Sequence, residues 1–131
     1  MGLAYLATLR ADGAPRVNPM CPILHDGGLY AFLIPGPKRD DLLRDPRFAM
    51  HAFPREEDED AFSCAGIAHR IGKASLRDAV GRRFWEERPT LERFDLDEQL
   101  LFEFTLDRCL LTRTTGHGDP RPRHLIWRME R

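Results

Sequence analysis

The sequence predicts a mainly β protein, in which six or seven antiparallel strands close into a small barrel with one or two helices packed outside. Short apolar or alternating segments follow one another closely along the chain, with Asp-Gly and Gly-Gly turns between the first of them. This arrangement is typical of strands joined by hairpins, which pair antiparallel. Only two segments carry helical signals. Closure into a barrel is favoured because it removes the unpaired edges of the sheet.

Length and composition are those of one globular domain, covering residues 1–131. The net charge of −1, from 20 basic and 21 acidic residues, gives no support for a nucleic-acid partner. No apolar run approaches the roughly 20 residues of a membrane span, and no leader is evident. We therefore expect a cytoplasmic protein. The three cysteines, Cys21, Cys64 and Cys109, are far apart and odd in number, so a disulfide framework is not expected. Each is expected to behave as a small buried apolar residue.

The first half of the chain contains two predicted hairpins. The first turn, at Asp12-Gly13, comes after strand 3–10. The second turn, at 25–28, comes before strand 29–34. Between them, the segment 16–24 is extended but carries Pro19 and Pro22. Proline cannot donate a hydrogen bond to a sheet. Part of this backbone is therefore expected to be unpaired and free to face a ligand or a partner.

Residues 34–46 form the predicted anion site. The third strand ends at Pro35-Gly36-Pro37, and a short helix begins with Lys38 and Arg39 and stops at Asp45-Pro46. Free backbone N–H groups and the helix dipole favour negative charge at a helix start. Two cationic side chains at this point add mobile donors. We interpret the segment as a corner that binds a phosphate group.

The second half continues the alternation of strands. Gly66 and Gly72 are expected to mark a bulge or bend in a long strand, and Ser75 to Asp78 resembles a capping box for a helix that Pro89 ends. Residues 54–60 are an acidic hairpin tip, and 91–99 an acidic connector. The remaining predicted strands are 47–53, 61–73, 100–114 and 123–128.

Five segments, taken in order, match a known pattern: Ala7-Thr8-Leu9-Arg10-Ala11-Asp12-Gly13-Ala14-Pro15-Arg16-Val17-Asn18-Pro19, Asp26-Gly27-Gly28-Leu29-Tyr30, Pro37-Lys38-Arg39-Asp40-Asp41-Leu42, Asp45-Pro46-Arg47, and Arg123-His124-Leu125-Ile126-Trp127-Arg128. In this order and spacing they resemble the pyridoxamine 5′-phosphate oxidase-like family of FMN-binding split β-barrels. The resemblance covers nearly the whole chain. It implies a six- to seven-stranded antiparallel split barrel with one or two flanking helices.

The resemblance also implies a homodimer with two cofactor sites at the subunit interface. The cofactor would be FMN or the related deazaflavin coenzyme. Arg16 would reach the phosphate or ribityl chain, and Lys38 and Arg39 would take the terminal phosphate. Trp127 would approach the ring from the other subunit. The residues implied to line the isoalloxazine ring are Val17, Asn18, Pro19 and Met20.

The chain departs from the family in three ways. It lacks the helix that usually precedes the first strand and the C-terminal segment that closes over pyridoxamine phosphate, so a substrate other than this vitamin B6 compound is expected. The hydroxyl residue before the lysine is replaced by Pro37, which removes one donor to phosphate. No residue is identified as a general acid or base.

The predicted function is an oxidoreductase that transfers hydride or electrons between the flavin and an unknown small molecule. The alternatives are a deazaflavin-dependent reductase and a non-catalytic module that holds flavin or haem. Each site residue also has a structural interpretation. Lys38 and Arg39 could be solvated, Arg16 could pair with an acidic residue such as Asp12, and Trp127 could belong to a dimer core.

Overall fold

The computed structural model describes residues 2–130 and contains eight strands and two helices. All eight strands belong to one sheet, and every pairing is antiparallel. The predicted fold class is therefore confirmed. In chain order the elements are β1 (Ala4–Leu9), β2 (Pro15–Met20), β3 (Ile23–His25), β4 (Gly28–Leu33), α1 (Pro37–Arg44), β5 (Arg47–Ala52), β6 (Ala61–Ile71), α2 (Ala74–Glu86), β7 (Leu100–Arg113) and β8 (Arg123–Arg128).

The strand order explains the split in the barrel. Strands follow the order β2-β1-β5-β6-β7-β4-β3, with β8 added to β7. The sequence predicted one extended segment over residues 16–24, but the structure has two strands there. Residues up to Met20 pair with β1, and after Cys21-Pro22 the chain pairs with β4 instead. Since Pro22 has no N–H group, it cannot continue the first pairing. Consecutive strands β2 and β3 therefore lie at opposite ends of the order.

Two apolar clusters hold the fold together. The first fills the barrel and includes Leu6, Met50 and Phe102, which are all buried. The second lies beneath α2, where Val80 and Phe84 pack against the sheet. Alternate residues of β1, β4, β5 and β7, with residues of β6, supply most of the first cluster, because successive side chains of a strand point to opposite faces. The opposite face of β1, β5 and β6 remains open to a ligand or partner.

Two local predictions have different outcomes. The bulge expected near Gly66 is confirmed, since the β6–β7 register shifts between Ala65 and Gly66. The capping box is wrong: α2 begins after Lys73, Ser75 lies inside the helix, and within residues 2–130 no side chain caps its start. The helix ends at Glu86, before Pro89. None of the helices in the described chain is long and apolar enough to cross a bilayer.

Candidate functional site

Helix α1 places its first residues against the edge strand β2. Pro37 occupies the first turn, where its missing N–H group and fixed φ suit the helix start. The Lys38 side chain extends to β2, and its Nζ donates a hydrogen bond to the Pro19 carbonyl oxygen at 3.1 Å. Among the described residues, β2 pairs only with β1, so its other edge is open there. The predicted anion site and the predicted ring strand are therefore in direct contact.

Asp41, in the second turn of α1, joins the helix to the β1–β2 hairpin. The residue is 2% exposed. It accepts hydrogen bonds from Thr8 Oγ1 at 2.7 Å, Arg16 Nε at 2.8 Å and Arg44 Nη2 at 2.9 Å. Arg44 also donates to the Leu9 carbonyl oxygen at 2.8 Å. The acidic partner of Arg16 is thus Asp41. Asp12, the partner considered from sequence, instead accepts from the Ala14 N–H group at 2.9 Å.

Electrostatics keep Asp41 ionised. Burial by itself would raise the pKa of this carboxyl group. The hydrogen bonds from Thr8, Arg16 and Arg44, with the charge of Arg16, outweigh burial and lower the pKa below its ordinary value. Asp41 is therefore ionised at neutral pH and holds Arg16 in place. Only the Nε atom of Arg16 is engaged in this way, so its two terminal nitrogens remain available within the described chain.

A depression of about 360 Å³ lies between the β1–β2 turn and the start of α1. Its charged lining consists of three arginines and three aspartates, so its formal charge sums to zero. An anion entering this depression would be attracted by Arg16 and repelled by Asp40, which is exposed. The positive charge needed for a phosphate must come from Lys38 and Arg39, which do not line it. The charged residues are Arg10, Arg16, Arg44, Asp12, Asp40 and Asp41.

Arg39 points away from Lys38. Its Nη1 atom donates a long hydrogen bond of 3.4 Å to the carbonyl oxygen of Glu98, in the connector before β7. Its Nε atom is buried and has no hydrogen-bond partner within residues 2–130. A buried N–H group without an acceptor costs free energy. This orphaned donor fits a site that gains an acceptor when an anion binds.

The strand residues implied to line the ring are divided between two faces of the sheet. Val17 is 62% exposed and lies opposite Ala7 on the outer face, as does Pro19 opposite Tyr5. Asn18 lies opposite the buried Leu6, and Met20 is 4% exposed within the barrel core. A ring on one face could therefore contact only alternate side chains, and the open strand edge presents the backbone groups of alternate residues only, among them Val17 and Pro19.

Trp127 lies on β8, which pairs with β7 and stands outside the main strand order. Half of its surface is exposed. Its side chain lines an apolar cavity of about 690 Å³ together with Leu3, Pro22 and Leu24. Among the described residues, none from α1 or β2 lines this cavity.

Thr8 and Asp41 are the site residues that sequence reasoning missed. Asp41 lies 33 positions from Thr8 and 25 from Arg16, so no local spacing indicates their contact. The one available signal was the position of Asp41 beside Leu42, on the side of α1 that faces the barrel. A carboxylate on a buried helix face requires cationic or hydroxyl partners.

Other reactive groups are not assembled into a site. Burial and the neighbouring Cys109 raise the pKa of Cys64 to about 11, so this thiol is protonated at neutral pH. Within residues 2–130, no group of three or more histidine, cysteine, aspartate or glutamate side chains could hold a metal ion.

Comparison with known proteins identifies the fold. No protein-family model matches the chain, and no curated protein matches its sequence. Among solved structures, a conserved hypothetical protein of Mycobacterium tuberculosis is 21% identical with a TM-score of 0.71, covering 83% of this chain and 75% of that one. A heme binding protein of Mycobacterium smegmatis is 19% identical with a TM-score of 0.69, covering 95% of this chain. This chain spans only 52% of that structure.

A third similar structure carries the family resemblance. It is a Clostridium acetobutylicum protein of the pyridoxinephosphate oxidase family, related to general stress protein 26 of Bacillus subtilis. It is 11% identical with a TM-score of 0.68, covering 98% of this chain and 87% of that one. The chain therefore has the split-barrel fold that its sequence resemblance implies. Likeness at these identities establishes the fold and not the activity.

Proposed function

We propose that this protein binds FMN and acts as an oxidoreductase on a small molecule, as a homodimer with its cofactor sites at the subunit interface. Bound flavin would supply the hydride or electron transfer itself. The protein would position the cofactor and exclude competing reactions. The observation that carries this proposal is the 3.1 Å contact between Lys38 Nζ and the Pro19 carbonyl oxygen, because it joins a cationic helix start to an open strand edge.

The phosphate end of the proposed site consists of Lys38, Arg39 and Arg16. Lys38 would exchange its bond to Pro19 for a phosphate oxygen. Arg39 would give up its hydrogen bond to the Glu98 carbonyl oxygen and turn toward the phosphate, which would supply an acceptor for its unpartnered Nε atom. Arg16, fixed by Asp41, would direct its terminal nitrogens to the phosphate or the ribityl chain. Charge-assisted hydrogen bonds of this kind are stronger than neutral ones.

The ring end consists of strand β2. Its open edge would bond the polar rim of the isoalloxazine ring through the backbone of Val17 and Pro19, and exposed Val17 would cover part of one face. Asn18 and Met20 would position this edge through their pairing with β1. Trp127 would approach from the partner copy. The exposure of Leu125 and Trp127, which share one face of β8, supports a partner on that face, since large exposed apolar side chains favour burial.

Titration with FMN tests the proposal directly. Wild-type protein should quench FMN fluorescence with saturation. Lys38→Ala should weaken binding by about tenfold or more, because it removes a charge-assisted bond to phosphate. Lys73→Ala is the matched control, since Lys73 is the only other lysine and is exposed at the start of α2. If wild-type protein does not quench FMN, the proposed cofactor is wrong.

The deazaflavin coenzyme is the second candidate for the same site. Its longer acidic tail requires a wider basic surface than the neutral depression beside Arg16 offers. Competition between FMN and the deazaflavin coenzyme at equal concentrations would decide between them. Displacement of FMN by the deazaflavin at or below equimolar concentration would favour the second candidate.

A non-catalytic module that holds flavin or haem is the third candidate. The similarity to the heme binding protein of Mycobacterium smegmatis favours it. The absorption spectrum of protein purified from its host distinguishes the ligands, because flavin, deazaflavin and haem absorb at different wavelengths. The holoprotein is first reduced, and small molecules are then added as oxidants. If none of them reoxidises it, the result would support this candidate over an oxidoreductase.

A further inference from the structure

The outer face of the sheet carries two arginines directly opposite each other. Arg108 on β7 and Arg128 on β8 are register partners, so their side chains leave the sheet on the same face. Both are exposed. Like charges placed directly opposite each other on neighbouring strands are destabilising. An anion bound between the two arginines, which we call the arginine pair, would offset this repulsion.

The chain itself supplies no such anion among its described residues. No ion pair joins either arginine to a carboxylate within residues 2–130. The neighbouring Arg47 differs, because Asp45 binds its guanidinium with Nη2–Oδ2 at 2.7 Å and Nε–Oδ1 at 3.0 Å. Asp107, the extra residue at the bulge, borders the same region, but no ion pair links it to the arginine pair.

The arginine pair borders two adjoining depressions of about 780 and 500 Å³. Both volumes fall in the range usual for small-molecule sites. The two depressions share the arginine pair and a floor of three alanines, which we call the alanine row. Their short side chains leave this floor flat over three strands, or about 10 Å. Successive register partners form one line across the sheet: Val17, Ala7, Ala49, Ala65, Arg108 and Arg128.

We propose that this face binds a planar aromatic molecule bearing a carboxylate or phosphate group, with its ring on the alanine row and its anion between Arg108 and Arg128. Guanidinium groups match the geometry of both anions and bind them through paired hydrogen bonds. The other end of the line is Val17, on the strand assigned to the flavin ring. That such a molecule is the substrate rests on the proposed function, whereas its binding does not.

Calorimetric titration with 2-naphthoate, a planar carboxylate, tests this site. Wild-type protein should bind it saturably, and Arg108→Gln/Arg128→Gln should weaken binding by about tenfold or more. Arg70→Gln/Arg82→Gln removes the same charge from two exposed arginines elsewhere and should leave binding unchanged. The neutral analogue 2-naphthalenemethanol should bind more weakly and should not respond to either substitution.

Thermal unfolding shows whether the variant remains folded. Arg108→Gln/Arg128→Gln should raise the melting temperature slightly, because it removes a like-charge contact, and Arg70→Gln/Arg82→Gln should not. Should the double glutamine variant fail to fold, Arg108→Lys/Arg128→Lys serves instead. It keeps both charges but loses the planar fork, so it should weaken 2-naphthoate binding to an intermediate extent.

The results separate this site from the flavin site. Lys38→Ala should retain 2-naphthoate binding, and Arg108→Gln/Arg128→Gln should retain FMN quenching. Absence of saturable 2-naphthoate binding to wild-type protein would overturn the inference, whatever FMN does. Unchanged affinity in the double glutamine variant would also overturn it. A third result would overturn the inference: the double glutamine variant becomes a monomer while wild-type protein is a dimer that does not bind 2-naphthoate. The two arginines would then contact a second copy of the chain.

Discussion

Asp41 connects α1 to the β1–β2 hairpin through side chains that are distant in sequence. Three hydrogen bonds reach its carboxylate from Thr8, Arg16 and Arg44. A buried carboxylate is tolerated only when it is paired. The same pairing fixes the guanidinium of Arg16 beside the proposed phosphate position. A structural charge therefore orients a residue of the candidate site.

Replacing Asp41 with Asn should destabilise the protein. Removing one partner of a buried ion pair typically costs about 3–5 kcal/mol. The Arg16 and Arg44 side chains are 28% and 42% exposed, so solvent would compensate part of their loss. We expect the free energy of unfolding in urea to fall by about 2 kcal/mol. Asp40→Asn is the matched control on the exposed side of α1, and an equal loss in both variants would contradict this account.

The contribution of Asp41 to stability should depend on pH. Because folding lowers its pKa below the ordinary 3.8, the contribution is fully present above that ordinary value. It is lost as the pH falls through the lower pKa of the folded protein. The difference in unfolding free energy between wild type and Asp41→Asn should therefore be constant between about pH 7 and 5 and shrink below about pH 4. A difference that grows on acidification would contradict this prediction.

At the scale of single elements, Gly66 determines how β6 pairs with β7. A Cβ atom at this position would overlap the Thr105 carbonyl oxygen and approach its carbonyl carbon to 2.9 Å. Since these are backbone atoms in the sheet, they cannot move aside without breaking the pairing. The bulge they form bends the long pair of strands and so helps the barrel to close.

Gly66→Ala should lower the free energy of unfolding by roughly 3 kcal/mol, because an added methyl group has no space there. Gly72→Ala provides the control, since a Cβ atom at Gly72 would meet no atom within 4 Å. Urea unfolding of both variants measures the difference. A Gly66→Ala protein as stable as Gly72→Ala would show that the bulge can relax.

Elements were predictable from sequence where their signals are local. The turns at Asp12-Gly13 and Asp26-Gly27 require positive φ, which Gly13 (φ +85°) and Gly27 (φ +76°) adopt. The division of residues 16–24 into two strands was not predicted. Pro22 indicated a break, but only the pairing of β3 with β4 shows where the chain goes next. Likewise, the pattern from Ser75 to Asp78 predicted an N-terminal cap, but Ser75 lies within α2.

At the scale of the whole molecule, one face of β8 presents a large apolar surface. Leu125 is 61% exposed and Trp127 50%, and the two share one face of the strand. Surface of this kind is typical of protein interfaces. The proposed homodimer, in which Trp127 reaches the other subunit's flavin, would bury it.

Leu125→Glu/Trp127→Glu should therefore shift the protein from dimer to monomer without unfolding it, since both side chains are already half-exposed. Sedimentation equilibrium measures the mass, and circular dichroism the fold. Leu43→Glu is the control, because Leu43 is 50% exposed on α1. Wild-type protein that sediments as a monomer at all concentrations would contradict the homodimer.

The sequence by itself determined the fold class, the two hairpin turns, the bulge at Gly66 and the short helix that follows the Pro35-Gly36-Pro37 segment, because each depends on residues close together in the chain. The family resemblance further implied that Lys38 and the strand containing Pro19 hold the two ends of one cofactor. Only the tertiary structure decided that these two touch, that Asp41 holds Arg16, that Arg39 faces the connector, and that Arg108 lies opposite Arg128. Such contacts depend on strand register across the sheet, which no local pattern encodes.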